Sequence, residues 1–382
     1  MARKKILVVT GSRAEYGLLK PIMEAVEVHP TLSLSVLATG MHTLKTFGLT
    51  IREVTRSYKP HIVPVREKNT MLESFAQEIV GIEKYCQRNR PDCIIVLGDR
   101  DEPLAAALVA SHLNIPLAHI HGGDVSGPTV DVSNRTLITK LAHMHFPATK
   151  MSARRIKALG EDSWRVIVAG APGLDALTSQ LYSRAELSKK LKLSVSKPWI
   201  LFVQHPTPFE DASIAVQAKV YKSLTKFPEF EKIIIYPNSD TGSGVFVSTL
   251  QNLRGPNYHA FRSLPRDVYV SLLKESNALV GNSSSGIIEA NFLGTPVVNI
   301  GNRQQGRERG DGVIDSSYNS DHIVVAIHKA FRLKKKYRGR PIPAPYGRGT
   351  AGTTIAAAIA QLLKNPQQIL KKTGVDTVRA YR

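Results

Sequence analysis

Short apolar runs alternate with helical periods along almost the whole chain, and that alternation admits little other than a parallel α/β architecture. In the first half the apolar runs fall at residues 6–9, 34–38, 62–65, 93–97, 117–120 and 166–168, with helices at 71–88 and 103–113 among the segments between them. The alternation breaks at Gly170-Ala171-Pro172-Gly173 and a charged stretch at 183–197, then restarts at 199–203 and continues through 232–236, 259–262, 278–280 and 296–300. The expected organisation is an N-terminal Rossmann-like domain over 1–172, a C-terminal Rossmann-like domain over 173–349, and a closing segment, 350–382, of one helix (353–364) and a frayed basic tail. Two doubly wound domains of similar size suggest an enzyme whose strand-end loops face a cleft, with the ligand expected there.

At 382 residues and 42% hydrophobic content the chain has ample material for such cores. Two cysteines, Cys86 and Cys93, are too few for a disulfide framework and lack metal-type spacing, so a reducing cytoplasm is expected. The basic start MARKK leads into an apolar run of only a few residues, which reads as a strand and not as a signal peptide. Nothing approaches the ~18 consecutive apolar residues of a membrane span. The formal charge of +20, from 51 Lys and Arg against 31 Asp and Glu, is scattered along the chain and accompanies no nucleic-acid motif. It fits solubility and attraction of an anionic nucleotide better than nucleic-acid binding.

The polar loops at strand ends carry the chemistry. Gly281 to Glu289, GNSSSGIIE, joins a buried-strand signal to a helix opening on hydroxyls and a glycine. Backbone N–H groups at such an opening lack intrahelical partners, so Ser283, Ser284 and Gly286 form a candidate diphosphate cradle, with Glu289 one turn on for ribose hydroxyls. Taken alone, the segment is also compatible with a Ser-capped α/β turn. Gly11 to Gly17, GSRAEYG, follows the first strand and places Arg13 for a phosphate or carboxylate and Glu15 for a hydroxyl. In the second half, QHP brings His205, NSDTGS brings Asn238 and GNRQQGR brings Arg303 to successive strand ends. The absence of G-x-G-x-x-G argues against the usual dinucleotide fold.

Acids and histidines gather at two adjacent strand ends. GDRDE supplies Asp99 and HIHGGD supplies His121 and Asp124, while Asp131 returns from the loop leading into the next helix. Such clustering shifts pKa values and suits proton transfer at a pyranose ring, although each acid taken singly reads more readily as a helix cap or a solvated side chain.

Taken in order, GSRAEYG, LGDRDE, HIHGGD with the downstream Asp131 and Arg135, QHP, PNSDTGS, GNSSSGIIE and GNRQQGRERG resemble the hydrolysing UDP-N-acetylglucosamine 2-epimerases of the sialic-acid and related nonulosonic-acid pathways. The resemblance implies a glycosyltransferase-B type fold, conversion of UDP-N-acetylglucosamine and water to N-acetylmannosamine and UDP, no metal or redox cofactor, and a homo-oligomer, dimer or tetramer. By position it implies UDP-binding roles for Arg13, His205, Ser283, Ser284, Glu289 and Arg303 and catalytic roles for Asp99 and Asp131. Two departures bear on the sugar: the family commonly shows HGGE where this chain ends on Asp124, and vertebrate-type members carry Glu in place of His121. Members acting on a diacetamido-trideoxyhexose share nearly all of these motifs. The remaining alternatives are a non-hydrolysing epimerase, a glycosyltransferase of the same fold, and a non-catalytic nucleotide-sugar binding protein.

Overall fold

A computed structural model describes residues 2–125, 130–178, 181–208, 210–237, 241–253, 255 and 257–372. The chain forms two compact units, one of Met1–Ala176 with Tyr346–Arg382 and one of Leu177–Pro345. In the first, the elements run β1 (Lys4–Thr10), α1 (Arg13–Val28), β2 (Leu32–Ala38), α2 (Ile51–Ser57), β3 (His61–Ile62), α3 (Met71–Asn89), β4 (Cys93–Leu97), α4 (Asp101–His112), β5 (Leu117–Ile120), α5 (Val130–Leu141), β6 (Met144–Phe146) and α6 (Lys150–Ala158). The second holds α7 (Arg184–Leu191), β7 (Trp199–Val203), α8 (Ile214–Ala218), β8 (Glu231–Ile235), α9 (Ser243–Gln251), β9 (Tyr258–Phe261), α10 (Arg266–Glu275), β10 (Ala278–Gly281), α11 (Ser284–Ile288), β11 (Val297–Ile300), β12 (Val313–Ser316) and α12 (Ser320–Tyr337). The chain then returns to the first unit as α13 (Ala351–Leu362) and α14 (Pro366–Leu370).

Each unit is a doubly wound, Rossmann-like parallel sheet of six strands, ordered β3-β2-β1-β4-β5-β6 in the first and β12-β11-β10-β7-β8-β9 in the second. Strand order reverses between β1 and β4 and again between β7 and β10, and those are the points where open α/β sheets bind ligands. The central strands are apolar on both faces because helices cover both. In β1, Ile6 and Val8 pack with α1 and α13, while Leu7 and Val9 pack with α3 and α4. Caps fix the helix starts: Ser12 accepts from the Glu15 N–H at 3.4 Å, and Thr70 with Glu73 closes a reciprocal capping box on α3. Among the described residues no helix is long and apolar enough to cross a membrane.

Several expected elements differ. The run at 166–168 contributes one bridge, Val166 to His145, and the sixth strand of the first unit is β6, whose histidine had masked its apolar signal. The strand expected at 62–65 shortens to His61–Ile62, and the charged stretch at 183–197 contains α7 behind a Ser183/Glu186 capping box. The short edge strand β12 carried too little apolar sequence to be recognised.

The closing segment departs most from expectation. It is neither separate nor frayed over its described length: Ile355, Ala356 and Ile359 of α13 and Ile369 of α14 lie in the same core as α1. Arg165, 1% exposed, donates to the carbonyls of Ile369 (2.7 Å), Lys371 (2.9 Å) and Gln368 (3.4 Å), and also to His143 (3.1 Å). Lys372 Nζ reaches Glu161 Oε1 at 2.9 Å, and His145 Nε2 lies 3.1 Å from Glu161 Oε2. Burial pushes the Glu161 carboxyl up, but hydrogen bonds from His145 and Lys372 outweigh it and hold it down to about 2. Thr373 and the residues after it lie outside the described residues.

Truncating the chain after Asn365 strips Arg165 of three acceptors and Glu161 of Lys372. Breaking buried ionic contacts of this kind costs about 3 kcal/mol or more, so calorimetry should show the first unit melting at least about 5 °C lower. An unchanged melting temperature would mean that the α14 contacts carry no stability.

Candidate active site

At the reversal point of the first unit, β1 ends at Thr10 and β4 at Leu97; Arg13 opens the helix after the first, and Asp99 lies in the loop after the second. The Gly98 N–H donates to the Ile120 carbonyl at 3.0 Å, which fixes the Asp99 loop against the end of β5. His121 follows β5 with a left-handed backbone (φ 62°), and Gly123 repeats that sense (φ 73°), so the HIHGGD segment turns back on itself. The turn brings Asp124 Oδ2 to 2.8 Å from His121 Nδ1, while Ser152 Oγ donates to Asp124 Oδ1 at 2.8 Å.

Arg135, on α5, ties the two strand ends together. One guanidinium nitrogen donates to the Asp124 carbonyl at 2.8 Å and another forms an ion pair with Asp99 Oδ2. The structure therefore brings Asp99, His121 and Asp124 into one network. Asp131 lies in the first turn of α5, half-buried, and i,i+4 spacing places it on the same helix face as Arg135. His119 sits beneath them, fully buried, with Nε2 2.8 Å from the Gly98 carbonyl oxygen; burial pushes its pKa down to about 3, so the ring is neutral and Nε2–H is the donor. Arg13 begins α1 with an exposed side chain that pairs with Glu53 at 3.0 Å.

Beneath the GSRAEYG loop lies a feature that no sequence pattern announced. Glu15, assigned in sequence to a hydroxyl, is buried and its Oε2 accepts from the Gly11 N–H at 2.7 Å. Glu78 and Glu102 are buried as well, and Glu102 is held by Arg100 at 3.1 and 3.3 Å. Burial, then the charge of Glu102, pushes Glu15 up to about 8; the same two causes push Glu78 up to about 9.

In the second unit the reversal point falls at Gln204-His205 and Gly281-Asn282. The fully buried Asn282 side chain accepts from the His205 N–H at 2.7 Å and donates to the His205 carbonyl at 2.9 Å. Its own carbonyl accepts from Arg303 (3.2 Å) and Gln304 (2.9 Å), so the β7, β10 and β11 loops converge on one residue. Ser283 caps the short helix α11, its Oγ 2.9 Å from Ser285 Oγ, which in turn lies 2.5 Å from the Tyr269 hydroxyl. Ser284 is exposed. Gly286 is buried, and a Cβ there would stand 2.9 Å from Val297 Cγ1, so its small size serves the packing of α11 on the sheet. Glu289 is buried and gripped by Arg266 through two bonds, 2.7 and 3.1 Å, a partner 23 positions away that spacing did not reveal. Asn238 lies outside the described residues.

A cavity of about 530 Å³ opens at the ends of β11 and β12, lined in part by Gly301, Asn302, Gln305, Arg309, Asp315 and Tyr318. None of the described residues expected from sequence lines it. Among the described residues no group of three or more His, Cys, Asp or Glu is placed to hold a metal ion.

Each Rossmann-like unit thus gathers the polar loops of its central strands at the point where strand order reverses. The sequence profile of UDP-N-acetylglucosamine 2-epimerases matches residues 24–360, and the chain belongs to that family. It is 35% identical over 340 residues to a UDP-N,N'-diacetylbacillosamine 2-epimerase (hydrolyzing) of Legionella pneumophila, covering 87% of this chain and 90% of that protein. It is 34% identical over 335 residues to a UDP-N-acetylglucosamine 2-epimerase of Neisseria meningitidis serogroup B, covering 87% and 89%. Its fold is similar to the crystal structure of UDP-GlcNAc 2-epimerase from Neisseria meningitidis bound to UDP-GlcNAc, with a TM-score of 0.75, 20% identity, and coverage of 94% of this chain and all (100%) of that one.

The raised pKa of Glu15 makes stability pH-dependent. The folded state keeps a proton that the unfolded chain releases above the ordinary value of 4.5, so this contribution is complete below 4.5 and is lost as pH rises to about 8. Glu15→Gln keeps an acceptor for Gly11 and removes the titration, so its melting temperature should fall less than wild type as pH rises from 4.5 to about 8. Parallel pH profiles would exclude Glu15 as a source of the dependence.

Proposed function

We propose that this chain is a hydrolysing 2-epimerase, converting UDP-N-acetylglucosamine and water to N-acetylmannosamine and UDP through a 2-acetamidoglucal. The observation that carries the reading is the Asp99–Arg135–Asp124–His121 network at adjacent strand ends, in a chain whose similar relatives include an enzyme described as hydrolysing. The sugar C2 proton is not activated by a carbonyl, so its direct removal is hard. UDP, by contrast, leaves readily once its phosphates are neutralised, and in the second unit His205, Arg303 and the Ser283–Ser284 turn supply that neutralisation.

Cleavage of the C1–O bond leads. Positive charge grows at C1 and the ring oxygen, and nearby carboxylates stabilise it as they do in glycoside cleavage. A carboxylate then takes the C2 proton to give the glucal. Protonation at C2 from the opposite face, with hydroxide added at C1, yields the free epimer. Asp99, Asp131, His121 and Asp124 divide the base, acid and water-positioning roles. Asp124 is suited to orienting work, because its two carboxylate oxygens already engage Ser152 and His121. Glu289 meets the ribose hydroxyls with the lone pairs that Arg266 leaves over.

A second reading keeps the chemistry and changes the sugar to a UDP-linked diacetamido-trideoxyhexose; the Legionella relative and the shorter acid in HGGD favour it. Incubation with each UDP-sugar in heavy water, followed by proton NMR, separates the readings. A free 2-epimer deuterated at C2 supports hydrolysing epimerisation of whichever sugar reacts, whereas a UDP-linked epimer as the end product would overturn it.

In the same assay Asp99→Asn and Asp131→Asn should each lower kcat by at least about 10²-fold with UDP affinity nearly unchanged, because they act on the sugar. Turnover near wild type in either variant would remove that residue from the reaction.

A further inference from the structure

The loop after β11 is pinned at several points. Arg309 Nη1 donates to the carbonyls of Gln304 and Arg307, both at 2.8 Å, and Arg309 Nε reaches the Asp315 carboxylate at 3.3 Å. Arg303 and Gln304 fasten the same loop to the Asn282 carbonyl, immediately before Ser283. Arg307, in the middle of this fastened turn, is half-buried, and its Nη1 is shielded from solvent with no hydrogen-bond partner. No carboxylate among the described residues pairs with it.

A shielded guanidinium N–H without an acceptor is costly, and native proteins rarely keep one. Moving water in does not neutralise its charge, whereas an oxyanion does so and matches the planar fork of donors. The turn is anchored to the serine-rich opening of α11, the place read above as the diphosphate cradle, so the anion at hand is a phosphoryl group.

We propose that Arg307 is a substrate-binding residue that completes its hydrogen bonding only when it takes a phosphoryl oxygen of a nucleoside diphosphate. The proposal rests on the UDP reading of the site. It also explains why the surrounding loop is braced by Arg309, Gln304 and Arg303 and not by Arg307 itself: a group reserved for ligand cannot also hold the scaffold.

Two measurements on the full chain test it, UDP affinity by calorimetry and melting temperature without ligand, for wild type, Arg307→Met and Arg307→Lys. The expected result is at least a tenfold loss of UDP affinity in Arg307→Met, a smaller loss in Arg307→Lys, and an unliganded melting temperature equal to or above wild type, because an unpaired charge has been removed. UDP affinity within twofold of wild type in Arg307→Met overturns the assignment and leaves the UDP reading standing. A lowered unliganded melting temperature in both variants makes Arg307 a structural residue and overturns it as well. Failure of the wild-type protein to bind UDP defeats the UDP reading itself, and with it this proposal.

Discussion

The constraint on which the rest depends is the reversal of strand order at the middle of each sheet. Beyond the ends of these strands the loops have no ladder partners, and the polar groups they bury must still be paired. In the second unit a neutral amide does this: Asn282 replaces the missing ladder with bonds to both backbone groups of His205. Gly281 makes room for it, since a Cβ at that φ of 130° would stand 2.0 Å from the Val203 carbonyl oxygen. In the first unit the work falls to a charge, with Arg135 binding a side chain of one loop and a carbonyl of the other. One reversal point is therefore held by groups that do not titrate near neutrality, the other by groups whose arrangement is ionic.

The central strands were legible because burial on both faces writes an unbroken apolar run, as in Ile6 to Val9 and Trp199 to Val203. Two of the four edge strands were not. β6 reads Met-His-Phe and β12 reads Val-Ile-Asp-Ser, too short or too polar to stand out from loops. The sequence placed Asp99, His121 and Asp124 together because adjacency of parallel strands is a topological inference, needing no side-chain detail. It did not place Arg266 against Glu289 or Arg165 against α14, because those contacts depend on how helices rotate and dock, which no local period encodes. The Ser183/Glu186 capping box was readable in principle and was outweighed by the charge around it.

The glycines of the loops show how easily packing is mistaken for ligand access. Gly11 opens the GSRAEYG loop, and a Cβ there would fall 2.4 Å from Glu102 Cδ; one at Gly40 would fall 2.3 Å from Glu102 Oε1. Both glycines thus leave space for a buried carboxylate, and Gly286 leaves space for Val297. The loop near Arg13 is shaped from below by an acid whose cation, Arg100, belongs to the segment carrying Asp99, so the two strand-end loops of the first unit share one support.

The docking of α13 and α14 has a consequence for how the chain matures. The first unit is interrupted in sequence: Arg165 is made long before its acceptors at Gln368, Ile369 and Lys371, and the whole second unit is translated in between. On the ribosome the second unit has all of its strands before the first has its last two helices, so folding cannot proceed in simple N-to-C order. Until α13 has been made, the face of α1 that receives it stays open, and a chain that stopped before α13 would carry a finished second unit and an unfinished first.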